Sequence, residues 1–159
     1  VLVHLIVVSQ NMDKNEFFLK VGHALSGCQL IEQHLKLYIS EALMLVEKCI
    51  DGRMPFHMKG EDYEDASLER LIQTFRKLND NNQLIADLNK FKDDRNFLTH
   101  KGISHCLDWD EEIFLHAAKN YETRLKAIAN EANRLLEVIH EENNKILNPL
   151  YFDEIKDSG

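Results

Sequence analysis

The sequence predicts an all-α fold, a bundle of antiparallel helices of which two are long and two or more are shorter. Apolar residues recur at spacings of three and four over most of the chain, which is the period of a helix with one buried face. The 159 residues include only 6 Gly and 2 Pro, so few positions interrupt these patterns. Only residues 1–8, which are apolar and rich in β-branched side chains, favour a strand.

The composition is that of one acidic, globular domain. Acidic residues outnumber basic ones by 27 to 19, and 44% of the residues are hydrophobic. This charge argues against a protein that coats nucleic acid, because that mode of binding needs many Lys and Arg facing phosphates. A local cluster of basic residues that binds nucleic acid is still compatible with this composition. No apolar run approaches the roughly 20 residues of a membrane-spanning helix, so we expect no membrane partner.

The three cysteines predict a reducing, cytoplasmic environment. They are odd in number and far apart, with no CxxC pair, and so form no disulfide framework. We expect Cys28 and Cys49 to be core thiols on one helix and Cys106 to lie in a loop.

The chain is expected to hold a single helical domain over residues 12–159. Residues 1–11 precede Met12 and show no helical period, so we interpret them as an extension or a vector-derived segment. They carry no basic leader of the kind found in signal peptides.

The first long helix is predicted from about Lys14 to Ile50. Its apolar positions are Phe18, Val21, Leu25, Cys28, Leu35, Ile39, Ala42, Val46 and Cys49. Asp51-Gly52 should end it through a left-handed cap. Gly22 and Gly27 lie inside the helix, where each costs about 1 kcal/mol relative to Ala, so we expect another helix to approach closely at both.

Two shorter helices follow a loop at residues 51–66. The first is built on Leu68, Leu71, Ile72, Phe75 and Leu78, and a turn at Asp80-Asn81-Asn82 caps the next. That next helix should run from about Gln83 to Lys101 and end at Gly102, with an apolar seam of Leu84, Leu88, Phe91 and Leu98.

The second long helix is predicted from about Asp110 to Leu147. Its apolar positions are Phe114, Tyr121, Leu125, Ile128, Ala132, Leu135 and Ile139. We expect Asn148-Pro149 to stop it, because proline lacks the N–H that a helix interior needs.

Two charges of opposite sign occupy apolar seam positions. Glu32 falls between Cys28 and Leu35, and Arg95 falls between Phe91 and Leu98. A buried charge is costly unless it is paired, so the sequence predicts that Glu32 and Arg95 meet inside the bundle.

The stretch that carries the most chemistry is KFKDDRNFLTHKG, residues 90–102. An arginine such as Arg95 keeps its positive charge, whereas a histidine such as His100 can accept and donate a proton, so the pair can hold a phosphate and move a proton. With Asn96, they suit cleavage of RNA by its own 2′-hydroxyl, which needs no metal. The alternative stays open that Arg95 only pairs with Glu32 and that His100 only favours the helix C-terminus.

The motif Arg95-Asn96-Phe97-Leu98-Thr99-His100 resembles the R-x(4–6)-H signature of HEPN domains (higher eukaryotes and prokaryotes nucleotide-binding). The polar residue after the arginine also matches, and residues 22–37, GHALSGCQLIEQHLKL, are similar to the corresponding HEPN helix. The resemblance covers roughly residues 14–147. It implies a metal-independent endoribonuclease, usually a toxin or a phage-defence effector, that dimerises to bring two motifs into one cleft.

The resemblance also implies roles for single residues. Arg95 would contact the scissile phosphate, His100 would be the acid or base, and Asn96 would position the site. We add Lys92 and Lys101 as RNA-binding residues because they give the motif helix a local basic side, and we add Glu32 from the seam as the residue that would support Arg95. Expected partners are RNA, a second copy and an antitoxin.

The sequence departs from the family at one position. HEPN toxins that an antitoxin modifies often carry Tyr two residues after the His, where this chain has Gly102. This difference argues against control by such a modification.

Many HEPN-like domains are non-catalytic and serve in binding or assembly. The second hypothesis is a non-catalytic helical module that binds or regulates a protein partner.

We expect no metal and no cofactor. His100, His105, Cys106, Asp108 and Asp110 are close in sequence but match no zinc-ligand spacing. The chain has no glycine-rich phosphate loop, GxSxG or HExxH motif.

Overall fold

The structure, a computed structural model, describes residues 14–102 and 111–157, with side chains for 14–101 and 121–148. These residues form four α-helices and no strand, which confirms the predicted all-α bundle. The helices are α1 (Lys14–Ile50), α2 (Leu68–Leu78), α3 (Asn82–Phe97) and α4 (Glu111–Asp157). A 3₁₀ turn spans Gly60–Tyr63, and a π-helical turn, Leu98–Gly102, continues α3. Residues 1–11 and Cys106 lie outside the described residues.

The two long helices run parallel, although we predicted antiparallel packing. Contacts advance together along α1 and α4, pairing Lys20 with Glu122, Gly27 with Ala132 and Glu41 with Asn143. The α3 helix is antiparallel to α4, because its contacts run in opposite directions, pairing Asp87 with Arg134 and Asp94 with Arg124. The antiparallel prediction therefore describes α3 against its neighbours but not the long pair.

The loop between α1 and α2 explains this topology. After Ile50 the chain turns back along α1, where Gly60 packs on Ser40 and Lys36 Nζ donates to the Glu64 carbonyl. The loop thus reverses the chain before α2 begins, and α2 sets out again in the direction of α1.

The core lies between α1 and α4 and is closed by α2 and α3. The predicted apolar seams of α2 and α3 are confirmed. Their buried residues are Leu68, Leu71, Ile72 and Phe75 for α2, and Leu84, Leu88, Phe91 and Leu98 for α3 and the turn after it, while Leu78 is half-buried.

On α4 the predicted residues Leu125, Ile128, Ala132, Leu135 and Ile139 are buried, and Tyr121 is half-buried. Ile146, Glu142 and Asn143 are buried as well, although the sequence did not predict them. The predicted Phe114 lies outside the residues with described side chains. Burial of this apolar surface is the main favourable term in folding.

The predicted face of α1 is correct along the middle of the helix and wrong at its ends. Phe17 is buried and Phe18 is exposed, because the core face lies one residue earlier than we expected. Val46 and Cys49 are also exposed, whereas Cys28 is buried as predicted. The last two turns of α1 therefore extend past the part of the core that the other helices form.

Gly27 and Gly22 have different surroundings. A Cβ on Gly27 would lie 2.7 Å from the Cβ of Ala132, so α1 and α4 touch there as predicted. A Cβ on Gly22 would meet nothing within 4 Å, so none of the described residues approaches this position as closely as we expected.

The helix ends follow the predicted caps except at the last one. Asp51 and Gly52 both have positive φ, as a left-handed cap requires, and Asn81 Oδ1 accepts from the Leu84 N–H at the start of α3. The α4 helix, however, continues through Pro149 to Asp157. Proline removes one hydrogen bond from a helix without forcing it to end, so Asn148-Pro149 was a weaker stop signal than we assumed.

No helix in the described ranges is long and apolar enough to cross a membrane.

Candidate functional site

The C-terminal end of α3 lies between α1 and α4. Phe91 and Leu98 are almost fully buried on one side of α3, and this fixes the rotation of the helix about its axis. At this rotation Arg95 meets α1, whereas Asp94, one residue earlier, meets α4. The apolar seam thus sets the direction in which each charged group leaves the helix.

Glu32 and Arg95 form the predicted ion pair. Arg95 Nε donates to Glu32 Oε1 at 3.3 Å, with side chains 35% and 20% exposed respectively. The pair is half-buried rather than sealed in the core. The terminal nitrogens of Arg95, Nη1 and Nη2, bond no residue in the described part of the chain. Glu32 therefore holds the guanidinium at Nε and leaves its two terminal nitrogens available to an anion.

His100 lies in the π-helical turn that follows α3, five residues after Arg95. The carbonyl of Arg95 accepts from the Leu98 N–H, and it also accepts from Thr99 Oγ1 at 3.2 Å. On an ideal α-helix the two residues point about 140° apart. A π turn joins residues five apart rather than four, so each residue advances by a smaller angle. His100 lies in this turn, so we expect the angle between the two residues to be smaller than on an ideal α-helix.

The other predicted site residues divide between two places. Asn96, His100 and Lys101 are exposed at the end of α3, next to one another along the chain. Lys92 lies a turn earlier, and its Nζ is 3.7 Å from Glu69 Oε1 of α2. Arg95, Asn96, His100 and Lys101 thus lie within about two turns of one another along the chain, and Lys92 lies about one turn before Arg95.

A second cluster beside the motif was not predicted. Arg124 of α4 pairs with Asp94 at 3.2 Å, and its Cζ lies 3.5 Å above the centre of the Phe97 ring. Phe97 also stacks on Tyr121, with ring centres 5.4 Å apart. The i, i+3 spacing of Tyr121 and Arg124 on α4 was the available signal, but nothing in the sequence joins that face to Phe97.

Cys28 lies close to the ion pair but is not a nucleophile. Burial raises the pKa of its thiol to about 11, although the nearby charge of Arg95 acts in the opposite direction. A thiol with this pKa is protonated at neutral pH, so Cys28 belongs to the packing of the core.

Two further buried polar clusters lie far from the motif. Near the turn between α2 and α3, Glu142 accepts from Asn79, Asn81 and Lys145, which outweigh burial and hold the pKa of its carboxyl below the usual range. This network is satisfied within itself and caps the turn. Between α1 and α4, Glu41 Oε2 and Asn143 Oδ1 are both buried acceptors without a donor. Burial raises the pKa of Glu41.

The described residues contain no group of three or more His, Cys, Asp or Glu placed to hold a metal. Of the five residues considered for zinc, His100 alone lies in the described range, and the other four fall at 105–110.

Comparisons with protein-family models, with curated proteins and with solved structures found no significant match to this chain.

Proposed function

We propose that this chain is a metal-independent endoribonuclease of HEPN type, a cytoplasmic toxin or phage-defence effector that works as a homodimer. The observation that carries the proposal is the half-buried Glu32–Arg95 pair, which engages Arg95 at Nε and leaves Nη1 and Nη2 to bind an anion. His100 follows within one π turn, exposed to solvent at the same end of α3. A fixed cation beside an exposed imidazole is what this chemistry requires.

The reaction uses the RNA's own nucleophile. His100 takes the proton of the 2′-hydroxyl as the 2′-oxygen attacks phosphorus, and Arg95 stabilises the negative charge that builds on the phosphoryl oxygens. The bond from phosphorus to the 5′-oxygen breaks, and the leaving oxygen takes a proton from a second acid. The products are a 2′,3′-cyclic phosphate and a 5′-hydroxyl. No metal or cofactor enters any step.

A homodimer supplies the second acid. The R-x(4–6)-H pattern occurs twice, at Arg95–His100 and at Arg134–His140. Asp87 and Glu131 both pair with Arg134, so we assign the site to the first match, and general acid and general base come from the two His100 side chains of a pair.

Asn96 and Lys101 are exposed at the end of α3 and in the turn that follows it, where they contact the phosphates that flank the cleaved bond. Lys92 adds little positive charge to this surface, because Glu69 is paired with it. The proposed antitoxin acts without modifying a Tyr two residues after His100, since Gly102 is there.

The test is cleavage of tRNA and mRNA in excess EDTA, with mapping of the new ends. Wild type should cleave and leave a 2′,3′-cyclic phosphate, and His100→Ala should lose at least about a hundredfold in rate, the usual worth of a general acid or base. His140→Ala is the matched control, because His140 is an exposed histidine of α4, and it should cleave like wild type.

Equal cleavage by wild type and His100→Ala would reject the proposed site. So would products with a 3′-hydroxyl, because they cannot arise from attack by the 2′-oxygen.

A non-catalytic interaction module is the second candidate. The outward face of α1 exposes several large apolar side chains, a feature typical of protein-binding surfaces. A folded wild type that cleaves no RNA in EDTA would favour this function.

A further inference from the structure

Three side chains from two helices are stacked beside the motif. Phe97 lies between Arg95 and His100 in the sequence, and its ring is stacked on that of Tyr121, with ring centres 5.4 Å apart and planes 18° from parallel. The guanidinium of Arg124 also packs on Phe97, with its Cζ 3.5 Å from the centre of the ring. We call Phe97, Tyr121 and Arg124 the stacked cluster.

The guanidinium of Arg124 is held in place and is still accessible. Its Nη2 donates to Asp94 at 3.2 Å, and its contact with Phe97 is at van der Waals distance, so it rests on the face of the ring. With both contacts made, the Arg124 side chain is still 44% exposed. Because the group is already positioned, a ligand that binds it has little side-chain motion to restrict.

The bonds of Arg124 leave it poorly suited to a phosphate. Asp94 bonds Nη2, one of the two terminal nitrogens that form the usual fork for a phosphate, whereas Glu32 bonds Arg95 through Nε. The surface of Arg124 that suits a ligand is therefore the face of the guanidinium plane opposite Phe97. Guanidinium planes stack on nucleobases, above all on the unpaired bases of single-stranded RNA.

We propose that the stacked cluster is a binding site for a nucleobase of single-stranded RNA, which stacks on the guanidinium of Arg124. Asp94 and Arg95 are consecutive on α3 and point to α4 and α1, so Arg124 and Arg95 lie on neighbouring sides of one helix, about 10 Å in diameter. The base therefore belongs to a nucleotide that flanks the phosphate held by Arg95. This inference rests on the proposed function, because it names the form of RNA that the same site takes.

The stacked cluster selects unpaired RNA. In a double helix the neighbouring bases cover both faces of each base, whereas bases in single-stranded loops and ends can be splayed out onto a protein side chain. Stacking does not read the sequence, because every base has a π-face. We therefore expect a preference for single strands without a strong preference for one base.

The test compares two uncleavable oligonucleotides of equal length, whose binding to the full chain is measured by fluorescence anisotropy. One is a single-stranded 2′-O-methyl RNA, and the other has the same number of phosphates and no bases. Arg124→Lys keeps the positive charge and loses the planar group. It should weaken binding of the strand with bases at least about fivefold and leave binding of the abasic strand unchanged. Its far-UV circular dichroism should match that of wild type, because Arg124 lies at the surface.

Two further variants serve as controls. Arg134 lies ten residues after Arg124 on α4, about 15 Å along the helix axis, and pairs with Asp87 and Glu131, so Arg134→Lys should bind both strands like wild type. Arg95→Met should weaken binding of both strands alike, because it removes a contact to phosphate. Annealing a complementary strand should abolish the difference between wild type and Arg124→Lys.

Equal binding of the strand with bases by wild type and Arg124→Lys would overturn the base site, and the proposed function would stand if Arg95→Met still weakened both strands. Equal weakening of both strands by Arg124→Lys would also overturn it, because Arg124 would then bind phosphate. A difference that persists on duplex RNA would overturn the selection of unpaired segments.

The base site and the proposed function can fail separately. Arg95→Met that binds both strands like wild type would contradict the proposed function, whereas a loss in Arg124→Lys confined to the strand with bases would still support the base site. Adenosine 5′-monophosphate that competes through Arg124 as strongly as the strand itself would assign the cluster to a free nucleotide and overturn the assignment to RNA. A folded wild type that binds neither strand would overturn both.

Discussion

The Glu32–Arg95 pair can be measured by a double-mutant cycle of Glu32→Gln and Arg95→Met. Gln keeps the shape of Glu, and Met keeps the apolar stem of Arg, so each variant removes a charge with little change in packing. The single variants and the double variant are unfolded in urea at about 1 µM protein and followed by far-UV circular dichroism. The cycle then gives the free energy of coupling between the two side chains.

The structure places the expected coupling between two limits. Exposed ion pairs contribute about 0.2–1 kcal/mol, and removing one partner of a fully buried pair costs about 3–5 kcal/mol. Here Glu32 is 20% exposed and Arg95 is 35% exposed, and the contact is a single 3.3 Å bond, so solvent screens the pair substantially. We expect each single variant to lose about 1–2 kcal/mol of unfolding free energy, with a coupling of about 1 kcal/mol. This is less than the sequence predicted, because the sequence indicated a buried pair.

Asp94→Asn and Arg124→Met provide the control cycle. That pair bridges α3 and α4 at the surface, so its coupling should stay below about 0.5 kcal/mol. A coupling under about 0.3 kcal/mol for Glu32 and Arg95 would mean that the pair does not form in solution. A value above about 3 kcal/mol would mean that it is sealed from water and unable to serve a substrate.

Other predictions concern the core. Gly27→Ala should lower the free energy of unfolding by about 1–3 kcal/mol, because the added methyl group clashes with Ala132. Gly22→Ala adds no clash and should raise the free energy of unfolding of the monomer by up to about 1 kcal/mol. Both values can be measured by urea unfolding at low protein concentration. Glu41→Gln should stabilise the fold at pH 7, because the amide supplies a hydrogen-bond donor to the buried acceptors. The contribution of Glu41 to the free energy of unfolding of the wild type should be lost as pH rises from about 4.3 through the raised pKa of that carboxyl. Free energies of unfolding that change with pH in the same way for the two proteins would contradict this. Iodoacetamide at pH 7.5 should label the exposed Cys49 and not the buried Cys28, whose thiol stays protonated. Peptide mass spectrometry shows which cysteine is labelled, and labelling of both in the folded protein would contradict the burial of Cys28.

The long helices were predictable because their apolar residues recur at the same spacing of three and four along the whole segment. The bounds of α1 and the seams of α2 and α3 follow from apolar spacing alone. The Glu32–Arg95 contact was also predictable, because two seam charges of opposite sign must meet to be tolerated. The chemical role of the pair stays a prediction.

The remaining features depend on which helix packs against which face. Gly22 and Gly27 have the same local signal, and only the position of α4 distinguishes them. The parallel direction of the long helices depends on the path of residues 51–67, which has no period. The π turn at Leu98–Gly102 and the Asp94–Arg124 contact likewise arise from tertiary packing. Pro149 shows the limit of a local stop signal, since α4 continues through it.

The central claim is that Arg95 and His100 bind one phosphate of RNA together. The most direct measurement is a nuclear magnetic resonance titration of the ¹⁵N-labelled chain with a 2′-O-methyl oligonucleotide, which cannot be cleaved because it lacks the nucleophile. We expect the Arg95 Nε–H signal and the His100 imidazole signals to shift together with one dissociation constant, and the His140 signals to stay in place. RNA binding that leaves Arg95 and His100 unchanged, or no binding by the folded chain, would contradict the proposed site.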